Sequence, residues 1–228
     1  MSWRISQSQA RERYLAQSTA AEAAQFDALL GHVTVQVEEA YLASLMQVIA
    51  FRPGMMVLDA GAGTGAFTQM LTHFPGLLIT ALEPAPTMLA ILRKNARLHG
   101  ISMVQGFCDG PNDRDLFATE CYDVILSRQL TNSLYDPLQA FRHWHYWLKP
   151  EGKVVVIDGL YQRSDWTGPW LENIDQLPLA THQSLAIVPY LLEQAQFRIE
   201  TVQLMHCVNH LPSTKTPKYI VVAQKVGA

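Results

Sequence analysis

The sequence predicts an α/β fold, a doubly wound parallel sheet with helices on both faces, and three observations carry that prediction. Past Pro53-Gly54, short apolar runs alternate with helix-length segments, the rhythm of a parallel sheet covered on both sides. The first run leads into "VLDAGAGTGAF", where glycine takes every second position just after a strand. At 228 residues, 49% hydrophobic and 16% charged, the chain suits one globular domain with a full core.

From Ile5 to Ala50 the chain is rich in Ala, Gln, Glu and Leu and has no proline. That favours helices, broken near Gly31-His32, and residues 1–50 are read as a helical cap belonging to the same domain as 51–228. "MVLDA", "LLITALE", "SMVQGF", "YDVILS" and "KVVVIDGL" read as strands, with helices expected at 65–73, 85–99, 111–118 and 136–148. After Asp158 the rhythm lapses into "YQRSDWTGPWLENIDQLP", read as a lid-like insertion over 160–182; long loops in compact domains are more often functional than accidental. A helix at 184–196 follows, then two strands, "RIETVQLMHCV" and "YIVVAQK", whose short connection suits antiparallel neighbours. No internal repeat or low-complexity stretch is present.

Composition narrows the partners. Seventeen basic and 20 acidic residues give a formal charge of -3 without long runs, so there is no electrostatic footprint for nucleic acid. The N-terminus lacks the apolar core of a signal peptide, and no stretch approaches the roughly 18 apolar residues a bilayer span requires. A cytoplasmic protein without membrane attachment, a monomer or homodimer, is expected. Cys108, Cys121 and Cys207 are odd in number and lack CxxC spacing, so neither a disulfide framework nor a zinc knuckle is indicated.

The glycine loop falls where an open parallel sheet binds ligands, at the carboxyl end of its first strand. Gly61 and Gly63 have no Cβ to block a close approach, and the helix that follows offers N-terminal amides. A dinucleotide and S-adenosylmethionine are served equally by this loop, and Asp59 separates them. A carboxylate two residues before the first glycine repels a pyrophosphate, whereas it attracts the ammonium of the methionine moiety. Glu83, 18 residues after Gly65 at the end of the next strand, is placed for ribose hydroxyls in either cofactor.

"VLDAGAGTGAFTQML", "ALEPAPTML" and "CYDVILSRQLTNSLYDPLQAFRHWHYWLKPEGKVVVIDG" together resemble the class I S-adenosylmethionine-dependent methyltransferase family, its small-molecule branch, over residues 53–160. The resemblance implies a Rossmann-like sheet of seven strands with the last antiparallel. It implies S-adenosylmethionine as cofactor, S-adenosylhomocysteine as product, and a small-molecule acceptor. Asp59, Ala60, Gly61, Gly63 and Thr64 would line the methionine end, with Glu83 on the ribose and Pro84 and Met88 beside the nucleoside. Ser127 and Arg128 would end the fourth strand under the cofactor. The family usually has an acid directly after the glycine closing the third strand. Here "QGFCDG" departs, so either Asp109 reaches the adenine through a longer turn, or Phe107 and Cys108 bound that pocket through backbone contacts.

Methyl transfer from a sulfonium is an in-line displacement from an activated donor, so the protein mainly supplies position and, for a protonated acceptor, a base. No fixed catalytic residue follows from the sequence. Tyr14, Asn132, Asp158, Tyr161 and His182 are the acceptor-side candidates. Four of the five have a plainer reading: Tyr14 as helix packing, Asn132 as a loop cap, Asp158 as a strand end, and His182 as a solvent-facing histidine. Trp166 and Trp170 are candidates to cap an apolar acceptor. Metal is not expected. His143 and His145 point about 200° apart on a helix, and His206 and His210 lie roughly 13 Å apart on a strand; only a helical "HCVNH" would bring the second pair together. The stripe Phe141, Trp144, Leu148 reads as core. Two other function classes are open: a nicotinamide-dependent oxidoreductase, because Gly61, Gly63 and Ala66 satisfy GxGxxA, and a non-catalytic S-adenosylmethionine-binding protein.

Overall fold

The computed structural model describes residues 5–31, 33–94, 100–167 and 171–227. Helices α1 (Gln7–Gln17), α2 (Ala20–Phe26) and α3 (Val35–Val48) precede the sheet, with one π turn at Asp27–Gly31 leading out of α2. Each of the three helices starts on a hydroxyl: Ser6 caps α1 in a capping box with Gln9, Thr19 caps α2, and Thr34 caps α3.

The strands are β1 (Met56–Ala60), β2 (Leu78–Glu83), β3 (Ser102–Gln105), β4 (Tyr122–Arg128), β5 (Leu148–Gly159), β6 (Phe197–Leu204) and β7 (Lys218–Lys225). They form one seven-stranded sheet in the order β3-β2-β1-β4-β5-β7-β6, parallel except for β7, which runs antiparallel to both neighbours. Helices α4 (Ala66–Leu71), α5 (Pro86–Lys94), α6 (Pro137–Trp147), α7 (Ile187–Gln194) and α8 (His206–Asn209) complete the chain.

Both sheet faces are buried, which is why the strands read as continuous apolar runs. On one face Leu58, Ile125, Val156 and Val221 pack with Phe141, Trp144 and Trp147 of α6 and Leu192 of α7. On the other, Val57, Leu126, Ile157 and Ile220 meet Tyr41 and Leu45 of α3 and Phe67 and Met70 of α4. The stripe Phe141, Trp144, Leu148 is wholly buried.

Three expected elements differ. The helix expected at 111–118 is one 3-10 turn, Asp113–Leu116. Its aspartate bonds the backbone instead of continuing a helix, Asp113 Oδ2 accepting from Gly110 N at 2.8 Å. The helix expected at 184–196 is trimmed to Ile187–Gln194. The strand expected through "MHCV" stops at Leu204, and the chain turns into α8. Helical spacing puts Met205 and Val208 on one side, both buried in the α3 face of the core; a strand would have sent them to opposite sides. Residues 95–99 of the expected helix 85–99, His32 at the expected break, and Trp170 lie outside the described residues.

Candidate active site at the carboxyl edge of the sheet

The parallel strands deliver Asp59, Glu83 and Arg128 to one edge. In register, Asp59 stands beside Ala81 and Leu126, and Arg128 beside Ile157. Beyond β1 the loop folds back on β2, with Gly61 N and Ala62 N both donating to Leu82 O at 2.9 and 3.0 Å. Gly61 and Gly63 hold φ of 73° and 57°, a region that costs a side chain strain. A Cβ on Gly61 would also stand 2.7 Å from Leu130 Cδ1. Gly65 at φ 96° then turns the chain into α4.

Asp59 is 1% exposed and accepts from Thr68 Oγ1 of α4 at 2.6 Å. Burial lifts its carboxyl to about 7, opposed by the Thr68 bond and by Arg128. Glu83 is also buried and raised, again by desolvation first. Its Oε2 accepts from Gly63 N at 3.1 Å and its Oε1 from Ala85 N at 2.9 Å and the Tyr14 hydroxyl at 3.2 Å. Tyr14, an acceptor-side candidate in the sequence, therefore sits on Glu83, the carboxylate expected at the ribose. Its own hydroxyl is held well above the usual phenol range by burial and by Glu83.

Asp109 is occupied by protein. Its Oδ1 accepts from Arg11 at 3.0 Å, and its Oδ2 from Tyr135 N at 2.8 Å and Asp136 N at 3.3 Å. It thus ties α1 to the segment after β4. Phe107 stands edge-on to Tyr14 at 5.9 Å, with the Arg11 guanidinium 4.5 Å from its ring centre. Cys108 is buried in the core and its carbonyl accepts from His143 Nδ1 at 3.0 Å. Met88 is buried with Ala23 and Ala85 under Tyr14 and Phe26, and Pro84 O accepts from Gln105 at 3.3 Å.

A second polar group lies past β4 and β5. Asp158 is fully buried and saturated: Oδ1 accepts from Asn132 Nδ2 and Gly159 N, both at 2.8 Å, and Oδ2 from Thr131 Oγ1 and, at 3.2 Å, Asn132 N. Desolvation raises its carboxyl despite those four donors. Asn132 is thus a partner of Asp158. His182 is 7% exposed, not solvent-facing as its loop context suggested. Its Nδ1 donates to Leu179 O at 2.9 Å, so its Nε2 accepts from the Tyr219 hydroxyl at 3.0 Å. Tyr161 takes hydrogen bonds from Gln129 Nε2 at 2.5 Å and Lys218 Nζ at 2.8 Å. Lys218, Gln129, Thr131 and Tyr41 were not singled out in the sequence. Lys218 gains its place only because β7 runs antiparallel, which puts its first residue beside Gly159 at the carboxyl edge.

The "HCVNH" segment does turn helical, bringing the His206 and His210 rings to 6.2 Å. Among the described residues, however, no group of three or more His, Cys, Asp or Glu side chains is placed to hold a metal. His143 faces Cys108 O and His145 faces Val226 O, on different sides of α6. The three cysteines are free, and no described helix is long and apolar enough to cross a membrane.

The edge carries the marks of a ligand site. Thr64 Oγ1, on the glycine loop, and Ser127 Oγ, near the end of β4, are buried with no partner among the described residues. Buried hydroxyls of this kind fit a polar group that the protein itself does not supply.

Comparison with known proteins agrees with this geometry. Residues 58–156 match the family described as "Methyltransferase domain". A demethylmenaquinone methyltransferase of Chlorobaculum parvum is 28% identical over 108 residues, 47% of this chain and 42% of that one. A malonyl-[acyl-carrier protein] O-methyltransferase of Herminiimonas arsenicoxydans is 30% identical over 173 residues, 74% of this chain and 61% of the relative. The matched segments thus span less than two thirds of these relatives' own length. In fold, an S-adenosylmethionine-dependent methyltransferase from Aquifex aeolicus superposes with a TM-score of 0.65 at 16% identity, over 91% of this chain and 99% of that one. With the glycine loop, the two strand-end carboxylates and the antiparallel seventh strand, these matches support a class I S-adenosylmethionine-dependent methyltransferase domain over residues 58–156, with S-adenosylmethionine as its cofactor.

Proposed function

We propose that the protein transfers the methyl group of S-adenosylmethionine to a small-molecule acceptor. The observation that carries this reading is Asp59, a buried carboxylate at the end of β1 directly before a loop of positive-φ glycines. It complements an ammonium and opposes a pyrophosphate. Glu83 would hold the ribose, Thr64 and Ser127 would spend their unpartnered hydroxyls on the methionine end, and Arg128 would end β4 under the cofactor with its guanidinium toward the acceptor side, over Tyr41. Because Asp109 is committed to Arg11 and to two backbone amides, the adenine would rest between Phe107 and Cys108 by backbone and ring contacts. The N-terminal helices and residues 160–182 would cover the acceptor.

The named relatives act on different acceptors, so the family does not fix this one. The fold does not fix the reaction either: a chain with a TM-score of 0.62 at 15% identity is the [4+2]-cyclase SpnF. The test is titration calorimetry with S-adenosylhomocysteine and, separately, NAD, on the protein and on Asp59→Ala. Binding of the first, weakened at least tenfold by the substitution, about 1.4 kcal/mol, supports the reading. Binding of NAD alone sends the search to redox chemistry. Bound S-adenosylhomocysteine with no turnover across a broad acceptor panel favours a non-catalytic role.

A further inference from the structure

Between Asp59 and the start of β7, two cations, Arg128 and Lys218, have no hydrogen-bonded acid among the described residues. Arg128, at the tip of β4, makes no side-chain hydrogen bond or ion pair among the described residues, and its Nε is buried without a partner. Its guanidinium lies 5.1 Å from the Tyr41 ring centre, a contact that orients the fork but does not neutralise it. Lys218 donates only to the neutral Tyr161 hydroxyl and lies 4.5 Å from that ring centre.

Both cations face the same way. Arg128 pairs with Ile157 and Lys218 with Gly159, two residues along the same strand, so both project from the α3 face of the sheet. Gly159 makes the space, because a Cβ there would stand 2.7 Å from the Tyr161 ring and 2.9 Å from Lys218 Nζ. Asp158 points to the other face, its oxygens already taking four donors. Arg128 and Lys218 thus stand among two buried carboxylates, Asp59 on the side of Arg128 and Asp158 on the side of Lys218, neither of them hydrogen-bonded to the cations. Asp165, the remaining acid near Lys218, is exposed at the rim.

We infer that this cluster is the acceptor's anchoring site, and that the acceptor is a small molecule carrying one carboxylate, held between the Arg128 fork and Lys218. The guanidinium fork matches a planar carboxylate with two parallel bonds, and Lys218 offers a further charge-assisted donor on the same face. Trp166 beside Tyr161, ring centres 5.7 Å apart, and the buried Tyr41 offer aromatic walls to the body of such a molecule. With Asp59 engaged by the cofactor's ammonium, the anion also sets a negative group near the cationic donor, which favours the ternary complex. The inference rests on the methyltransferase reading and names the substrate class of that same site.

The experiment uses benzoate, benzamide and phenyl phosphate as probes of one shape, followed by ligand-observed NMR and calorimetry on the protein saturated with S-adenosylhomocysteine. Benzoate is expected to bind at least tenfold more tightly than benzamide. Lys218→Met and Lys218→Gln are expected to lose fivefold or more for benzoate, with benzamide unchanged and S-adenosylhomocysteine within twofold. Lys218→Arg should keep the preference. Equal binding of benzoate and benzamide to the unmodified protein overturns the inference whatever the variants do, as does a tenfold preference for phenyl phosphate or an unchanged preference in Lys218→Gln. Failure of S-adenosylhomocysteine to bind at all would instead defeat the methyltransferase reading, so the two failures are read by different titrations.

Discussion

Replacing Asp59 with asparagine is expected to stabilise the ligand-free protein while it cripples cofactor binding. The carboxyl is buried, and its value rises from 3.8 to about 7 because burial penalises the anion. At 1.36 kcal/mol per unit, that shift costs about 4 kcal/mol once the group is ionised in the folded state. The sign follows from proton binding. Between the two values the folded protein holds more protons than the unfolded chain, so stability falls as pH rises from 3.8 towards about 7. Between pH 5 and pH 8 the loss amounts to about 3 kcal/mol, which an amide does not suffer. Thr68 can still donate to the amide oxygen, so the local bond survives. Urea unfolding at pH 5 and pH 8 measures the difference, and calorimetry with S-adenosylhomocysteine measures the loss of binding, expected to be tenfold or more. Cofactor binding to the unmodified protein should also release about half a proton at pH 7, since Asp59 is then about half protonated, read from binding heats in buffers of different ionisation enthalpy. A stability gain equal at both pH values, or none, together with unchanged affinity, would refute the reasoning.

Tyr14→Phe removes the hydroxyl that now occupies Glu83 Oε1, so S-adenosylhomocysteine should bind about three- to tenfold more tightly, one hydrogen bond no longer having to be broken; weaker binding would count against this. Gly61→Ala meets Leu130 at 2.7 Å as well as a positive φ, whereas Gly54→Ala has the positive φ alone with nothing within 4 Å. The second should cost about 1 kcal/mol, and the first distinctly more together with most of the cofactor affinity, by urea unfolding and calorimetry. Trp144→Ala empties the centre of the α6 face, where the ring is 0% exposed, and should lose about 3–5 kcal/mol in the same unfolding assay.

Much of the fold is set by local sequence. Apolar runs of strand length alternating with amphipathic helices can bury both faces of a sheet only in this layered way, and hydroxyl caps at Ser6, Thr19 and Thr34 start the first helices without help from distant residues. That Asp59, the glycines and Glu83 meet at one sheet edge was legible because their spacing along one strand-turn-helix unit and the next strand end is itself the geometry. The short elements were not legible. The turn at Asp113–Leu116 and the helical "HCVN" depend on which distant partner a side chain meets, Arg11 for Asp113 and the α3 core for Met205 and Val208.

What the tertiary structure alone decided is which polar groups share an edge. Tyr14 and Glu83 are 69 residues apart, and Arg11 and Asp109 98 apart, yet each pair is in contact because α1 lies over the strand ends. Arg128 and Lys218 face one space because β7 enters antiparallel between β5 and β6 and starts where the parallel strands finish. His182, set by its loop among surface residues, is buried because Tyr219 and the Leu179 carbonyl satisfy both ring nitrogens. A sequence specifies its periodicities and turn chemistry locally, through backbone preference and patterning. Pairing between remote charges depends on strand order and direction, which are selected by burial of the whole core.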